Sequence, residues 1–338
     1  MSARRAWPAL RDPRFWLVLA ALVFAVAAAF GPSITRRHAR LDLLVVIDVT
    51  GSMNVRDMSW DGKPIGRLDY ARRRLIELLA ALPCGSRMGL GIFTERRPFL
   101  LFEPVETCGA YDPLAQTLGG LDWRMAWEGD SRIADGLYRS VALAGQLGAG
   151  LVFVTDGHEA PPLPAAGRPP FEGEPGKVKG LLVGVGGDAK SPIPKFNDSG
   201  REVGFYAANE VDQENRSGLP PTGSELREGF DARNAPFGGR AAEGDEHLSS
   251  LRERYLQTLG QATGLGYARL GTAQALLPAL LANAPAREVV SREELRPPLA
   301  LAALGCLVLA GLFAPAGATY RAMRTRLRRF FSVGVKEF

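Results

Sequence analysis

The chain has 338 residues, 46% of them apolar, with 41 Lys and Arg against 36 Asp and Glu for a net charge of +5. That is enough apolar sequence for one sizeable core and further elements. Residues 1–14 hold four Arg and one Asp, and residues 315–338 hold five Arg, one Lys and one Glu, so everything between them is acidic by about three charges. A mildly acidic middle lacks the basic footprint of a phosphate binder, which excludes nucleic acid as a partner.

Phe15 to Phe30 is an uninterrupted apolar run, followed by Gly31-Pro32-Ser33-Ile34. Residues 15–34 are expected to form a transmembrane helix, an uncleaved anchor rather than a secretory signal, although Ala27-Ala28-Ala29 offers small residues for cleavage. A second run, 299–318, reaches roughly 30 Å at about 1.5 Å per residue and is long enough to span a bilayer. Arg321, Arg324, Arg326, Arg328 and Arg329 follow it. The positive-inside rule therefore puts the basic tail, 319–338, in the cytoplasm, together with residues 1–14. The expected location is the cytoplasmic (inner) membrane, with the domain between the spans, about 41–285, exported to the periplasm.

That domain opens with Leu43-Leu44-Val45-Val46-Ile47-Asp48-Val49-Thr50-Gly51-Ser52-Met53. A continuous apolar run ends in a carboxylate, with hydroxyls at the next two alternate positions. The run reads as a buried parallel strand, whose carboxyl end is where open α/β sheets place ligands. Oxygen ligands of this kind suit a hard divalent cation. Leu68, Ala71, Leu75, Leu78, Leu79 and Leu82 recur at helical spacing after a polar loop, 57–67. Met88–Thr94 and Pro98–Phe102 read as a hairpin turning at 95–97, which brings Cys84 and Cys108 together beyond its open end. An oxidising compartment makes a disulfide between them the expected state.

Gly129-Asp130-Ser131-Arg132-Ile133 is a polar loop opening a helix over 135–146, and Leu151–Thr155 is a second buried strand ending at Asp156-Gly157. A proline-rich stretch from Ala160 to Gly176 precedes another strand, Val178–Val185. Residues 188–246 read as an insertion: a hairpin about Asn197-Asp198-Ser199-Gly200, then a long flexible segment from 208. A helix carrying Leu248, Leu251, Tyr255, Leu259 and Ala262 follows, then a last strand from Gly264 and a closing helix, 272–283, interrupted at Pro278. Alternating strands and helices indicate a doubly wound, mostly parallel α/β sheet. Gly184-Val185-Gly186-Gly187 is no dinucleotide fingerprint, because a hairpin rather than a helix follows it.

The three segments at Asp48-x-Thr50-x-Ser52, Ser131 and Thr155-Asp156-Gly157 together resemble the von Willebrand factor A (vWA) domain and its metal-ion-dependent adhesion site (MIDAS). Thr replaces the family's first Ser, and Ser its Thr; both keep the hydroxyl. The resemblance implies a Rossmann-like fold and one divalent cation (Mg2+, Mn2+ or Ca2+) held by Asp48, Thr50, Ser52, Ser131 and Asp156, the acids partly through water. Around that rim Met53, Asp130, Trp127 and His158 are candidates for touching a partner.

A narrower likeness is carried by 53–58, 82–87, 93–97, 121–131 and Pro192-Ile193-Pro194-Lys195-Phe196. These stretches resemble the membrane-bound vWA accessory proteins of methanol dehydrogenase gene clusters, the MxaL type. That likeness implies a non-enzymatic assembly factor whose cation captures an acidic side chain of methanol dehydrogenase, a calcium quinoprotein, or of its accessory proteins. The alternatives are a vWA protein of the aerotolerance or stress type with another client, and a Mg2+-dependent phosphoryl-transfer enzyme. The enzyme would want a further acid and a lysine near Asp48, where the sequence offers Thr50 and none.

Overall fold

The computed structural model describes residues 12–127, 129–238 and 244–313. The basic tail, the end of the second apolar run and residues 1–11 lie outside the described residues. Two compact units divide the chain: 39–289, and one made from its two ends, 1–38 with 290–338.

In chain order the elements are α1 (Pro13–Ala29), β1 (Ser33–Asp48), β2 (Met58–Trp60), β3 (Lys63–Ile65), α2 (Arg67–Ala81), β4 (Arg87–Thr94), β5 (Arg97–Glu106), α3 (Tyr111–Gly120), α4 (Ile133–Gln146), β6 (Gly150–Thr155) and β7 (Gly180–Gly184). Then come β8 (Ser191–Pro192), β9 (Pro194–Phe196), β10 (Glu202–Phe205), β11 (Leu248–Ser249), α5 (Glu253–Thr263), β12 (Gly266–Arg269), α6 (Ala273–Asn283), β13 (Ala286–Glu294) and α7 (Arg296–Leu312). The fold is mixed α/β with a mostly parallel central sheet of order β12-β7-β6-β1-β4-β5, β13 pairing with β1 and β5 antiparallel at the edge.

Strand alternation in β1 builds two cores. Leu43, Val45 and Ile47 face Leu75 and Leu78 of α2, Leu118 of α3 and Leu280 of α6. Leu44 and Val46 face Leu137 of α4 and Leu256 and Leu259 of α5. With helices on both faces, β1 is buried on both, and its run of apolar residues is what that position demands. Register sets Asp48 beside Phe93, and Ile47 beside Val154 just before β6 ends. The carboxyl rim is thereby fixed. At the opposite rim Cys84 and Cys108 form a disulfide with Cα atoms 5.3 Å apart.

Several expectations need correction. The first apolar helix ends at Ala29, not 34, because Gly31 takes a φ of +60° and Pro32 has no amide to continue the ladder. The segment 57–67 is not all loop: Asp61 and Gly62, both at positive φ, turn the β2–β3 hairpin. Helix α6 runs through Pro278 without interruption, since the buried Leu276 and Leu280 anchor the turns on either side. The strand after Gly264 is not the last, because β13 follows α6.

In the unit built from the two ends, α1 and α7 pack on each other, with Ala21 and Ala303 buried. Trp16, Leu22, Val23, Leu301, Leu304 and Leu312 are exposed. Among the described residues no helix is long and apolar enough to cross a membrane.

Candidate functional site

Three chain segments converge at the carboxyl rim. Beyond β1 the chain passes Thr50 into a 3-10 turn, Gly51–Asn54, which directs Ser52 inward. Ser131 is stitched between two loops: Arg132 N–H donates to Glu95 O at the β4–β5 tip (2.6 Å), and Ser131 exchanges backbone bonds with Ala160 (2.6 and 2.8 Å). Asp156 follows β6, and Gly157 makes the turn behind it with a φ of +79° that favours glycine.

The five residues inferred from the metal motif are all buried. Asp48 Oδ1 accepts from Thr50 N (2.9 Å) and Thr50 Oγ1 (2.7 Å), and Asp48 Oδ2 accepts from Thr155 Oγ1 (2.7 Å). Thr50 Oγ1 lies 3.4 Å from Ser131 Oγ. Among the described residues the buried Ser52 Oγ makes no hydrogen bond of good geometry, although it lies near enough to Asp156 to help hold that carboxyl down. An unsatisfied buried hydroxyl is costly and asks for a missing ligand.

Asp156 is differently placed. Its Oδ2 accepts from Arg67 Nη1 (2.5 Å) and Ser249 Oγ (3.1 Å), and its Oδ1 accepts from His158 N (2.9 Å). Arg67 is fully buried and also forks onto Asp57 through Nε (3.0 Å) and Nη2 (2.6 Å). The electrostatics split accordingly. Burial, then repulsion from Asp156, pushes the Asp48 carboxyl up to about 7 against the hydrogen bonds from Thr155 and Thr50. Burial acts on Asp156 too, but Arg67 and His158 outweigh it and hold that carboxyl below the usual range.

The hydroxyl cluster floors a cleft of about 530 Å³ walled by Trp123, Trp127, Asp130, His158, Tyr206, Glu210, Asp212 and Glu246. Among the described residues that line it there is no lysine or arginine. Trp127 is 51% exposed and packs edge-on against Phe99, whereas Trp123 is half-buried and stacks on Phe196. His158 is buried at the wall, its pKa pulled down by burial, with Nδ1 unpartnered among the described residues. Met53 must be struck from the contact candidates: it is fully buried in the α2-side core, because the 3-10 turn points it inward. A larger groove of about 1080 Å³ lies between α4 and the proline-rich segment, away from this chemistry.

Arg67 and Ser249 carry no signal in the sequence, whereas Thr155 lies in the Thr155-Asp156-Gly157 segment. Arg67 stands at the end of a charged loop, where nothing in the pattern signals burial. Among the described residues no group of three or more His, Cys, Asp or Glu could hold a metal. The donor set here is mainly hydroxyl, with Asp48 its free acid, and the orphaned Ser52 Oγ fits a hard cation.

No protein-family model and no curated protein matches the chain. Among solved structures it is similar to an aerotolerance-related membrane protein from Bacteroides fragilis, at 15% identity and a TM-score of 0.45, over 72% of this chain and 97% of that one. It is similar to a membrane-spanning protein from Vibrio fischeri at 17% identity and a TM-score of 0.27, over 71% and 95% of the two chains. A von Willebrand factor type A protein from Catenulispora acidiphila aligns at 14% identity and a TM-score of 0.29, over 45% of this chain and 36% of that one.

Proposed function

We propose that residues 39–289 form a cation-dependent protein-binding domain of the vWA type, with a binding rather than a chemical role. The observation that carries this reading is the cleft floor of Thr50, Ser52 and Ser131 hydroxyls, with Asp48 buried behind Thr50. Asp48, Thr50, Ser52 and Ser131 would hold Mg2+, Mn2+ or Ca2+, with Asp156 acting from further out. The cation supplies an electrophilic anchor for a carboxylate. A site built mostly from neutral hydroxyls leaves it under-neutralised, so an acidic side chain of a partner is a favourable last ligand. The cleft wall offers that partner Trp127 and Asp130. Among the described residues none of those lining the cleft is a lysine, which disfavours phosphoryl transfer.

The exposed apolar faces of α1 and α7 support association of the chain's ends with a membrane, and the arginines after the second apolar run favour cytoplasmic termini with the domain periplasmic. The stretches shared with the MxaL type point to methanol dehydrogenase as the client and to its calcium-dependent maturation as the role. Titration of the full-length protein with each of the three cations should give one bound equivalent, and absence of binding by all three ends the reading. In a deletion strain methanol dehydrogenase should accumulate short of calcium and of activity per molecule. Fully active, calcium-replete enzyme would leave the domain with another client.

A further inference from the structure

The buried guanidinium of Arg67 joins the nearby stretch 52–57 to two segments that are distant in sequence. It donates to Asp57 in the loop before β2, to Asp156 beyond β6, to Ser249 Oγ (2.7 Å) and O (3.1 Å) in β11, and to Ser52 O (3.4 Å) in the 3-10 turn. Room is made for it. Gly186 takes a φ of +133°, and a Cβ there would fall 2.9 Å from Arg67 Nε. Asp57 is itself braced by the N–H of Gly187 at 2.8 Å. The Ser249 hydroxyl has one proton, which goes to Asp156, so it accepts from Arg67 and closes a three-membered ring of side chains. Lysine, with a point charge and no planar fork, cannot serve Asp57 and Asp156 in this way.

We infer that Arg67 is a positioning residue that holds Asp156 back from the cation and so keeps the cation short of negative charge and open to a partner's carboxylate. This rests on the cation-site reading above. Three donors already occupy Asp156, among them the full charge of Arg67 on Oδ2. Asp48, by contrast, receives hydroxyls and one amide only. The same ring ties the site to the insertion. β11 closes the insertion and pairs with β8, which opens it, so both ends of the insertion meet at the Arg67 fork. Glu210, Asp212 and Glu246 of the cleft wall lie between those ends.

The test is calorimetric titration of the full-length protein with Mn2+, with melting curves to establish folding. Arg67→Gln releases Asp156 and removes a nearby positive charge, and should tighten Mn2+ by about tenfold or more. Acetate, as a probe carboxylate, should bind the Mn2+-loaded variant more weakly than the loaded wild type. Ser249→Ala changes no charge and should perturb the fold less; it loosens Asp156 and should tighten Mn2+ by about threefold, a gain of less than one power of ten. A merely structural Arg67 would weaken Mn2+ in both variants. If Arg67→Gln fails to fold, Ser249→Ala decides: tighter binding supports the assignment, and unchanged or weaker binding overturns it. A wild-type protein that binds no Mn2+, Mg2+ or Ca2+ removes the cation-site reading and this inference with it. Normal wild-type binding with the wrong sign in the variants removes only the inference.

Discussion

Asp48 and Asp156 are both wholly buried and end neighbouring parallel strands, yet they live in opposite electrostatic worlds. Asp156 meets a guanidinium, a hydroxyl and an amide, and its carboxyl is held below the usual range. Asp48 meets neutral donors and the field of Asp156, and its carboxyl rises to about 7. A strand-end aspartate is thus not a role in itself. Desolvation is common to the two, and the difference is one formal charge delivered by α2.

The sharpest way to break that comparison is to remove each acid in turn. Asp48→Ala should cost more than about 100-fold in cation affinity, because it deletes the acid of this pair that no basic side chain among the described residues neutralises. Asp156→Asn should cost about tenfold or less, since the amide keeps a hydrogen-bond acceptor and a formal charge already spent on Arg67 is what disappears. Calorimetry on the full-length variants reads both. Equal losses would mean that the two acids act alike and that the asymmetry has no functional weight.

Much of this was legible in the sequence, and the misses have definite causes. The run Leu43–Asp48 fixed the central strand because only a strand buried on both faces is apolar at every position. The hydroxyls followed from the spacing of Thr50 and Ser52, and the α2 face from its leucines. Arg67 was not legible: it lies at the boundary between a charged loop and an amphipathic helix, and its partners Asp57, Asp156 and Ser249 are set by tertiary packing. The β2–β3 hairpin is only partly legible. Its Asp61-Gly62 turn carries the standard signal, but the two strands are only three residues each and lack an alternating apolar face.

Stability and site chemistry can be separated by working at the opposite rim. Cys84→Ala with Cys108→Ala should lower stability by about 2–4 kcal/mol, by freeing a loop in the unfolded chain. Cation affinity should stay at the wild-type value, because the disulfide lies at the far end of β4 from Phe93 and Asp48. Chemical denaturation and calorimetry on the same sample check this, and a parallel loss of affinity would show that the two rims are coupled. Gly136→Ala perturbs the near rim from the Asp48 side. A Cβ at 136 would fall 2.0 Å from Phe93, so overpacking should cost about 1–3 kcal/mol. Phe93 pairs in register with Asp48, so this variant should disturb the Asp48 half while leaving the Arg67 ring intact. Unchanged stability would mean that Phe93 swings aside freely.

The smallest effect concerns a half-buried acid that serves the Ser131 loop. Glu159 caps α4 from outside the helix: its Oε2 accepts from Ile133 N (3.0 Å), its Oε1 from Ala134 N (2.9 Å), and the Tyr255 hydroxyl also donates to Oε1. Burial raises its pKa, and the three donors do not fully offset it. A carboxyl whose folded pKa lies above its unfolded value of about 4.3 contributes stability that is complete below that value. The contribution is lost as pH rises through the folded pKa. Glu159→Gln cannot titrate, and it retains one acceptor for the cap while losing the other. Protonated Glu159 has likewise given up one acceptor, so the quantity to follow is the gap, wild type minus variant, which should narrow as pH rises through the folded pKa. Comparing wild type with this variant isolates Glu159 from Asp48, which titrates in both. Melting temperatures of the two proteins from pH 4 to pH 8 give the difference directly, and a gap that stays constant or widens with pH would show that Glu159 is not held by its surroundings in the way described.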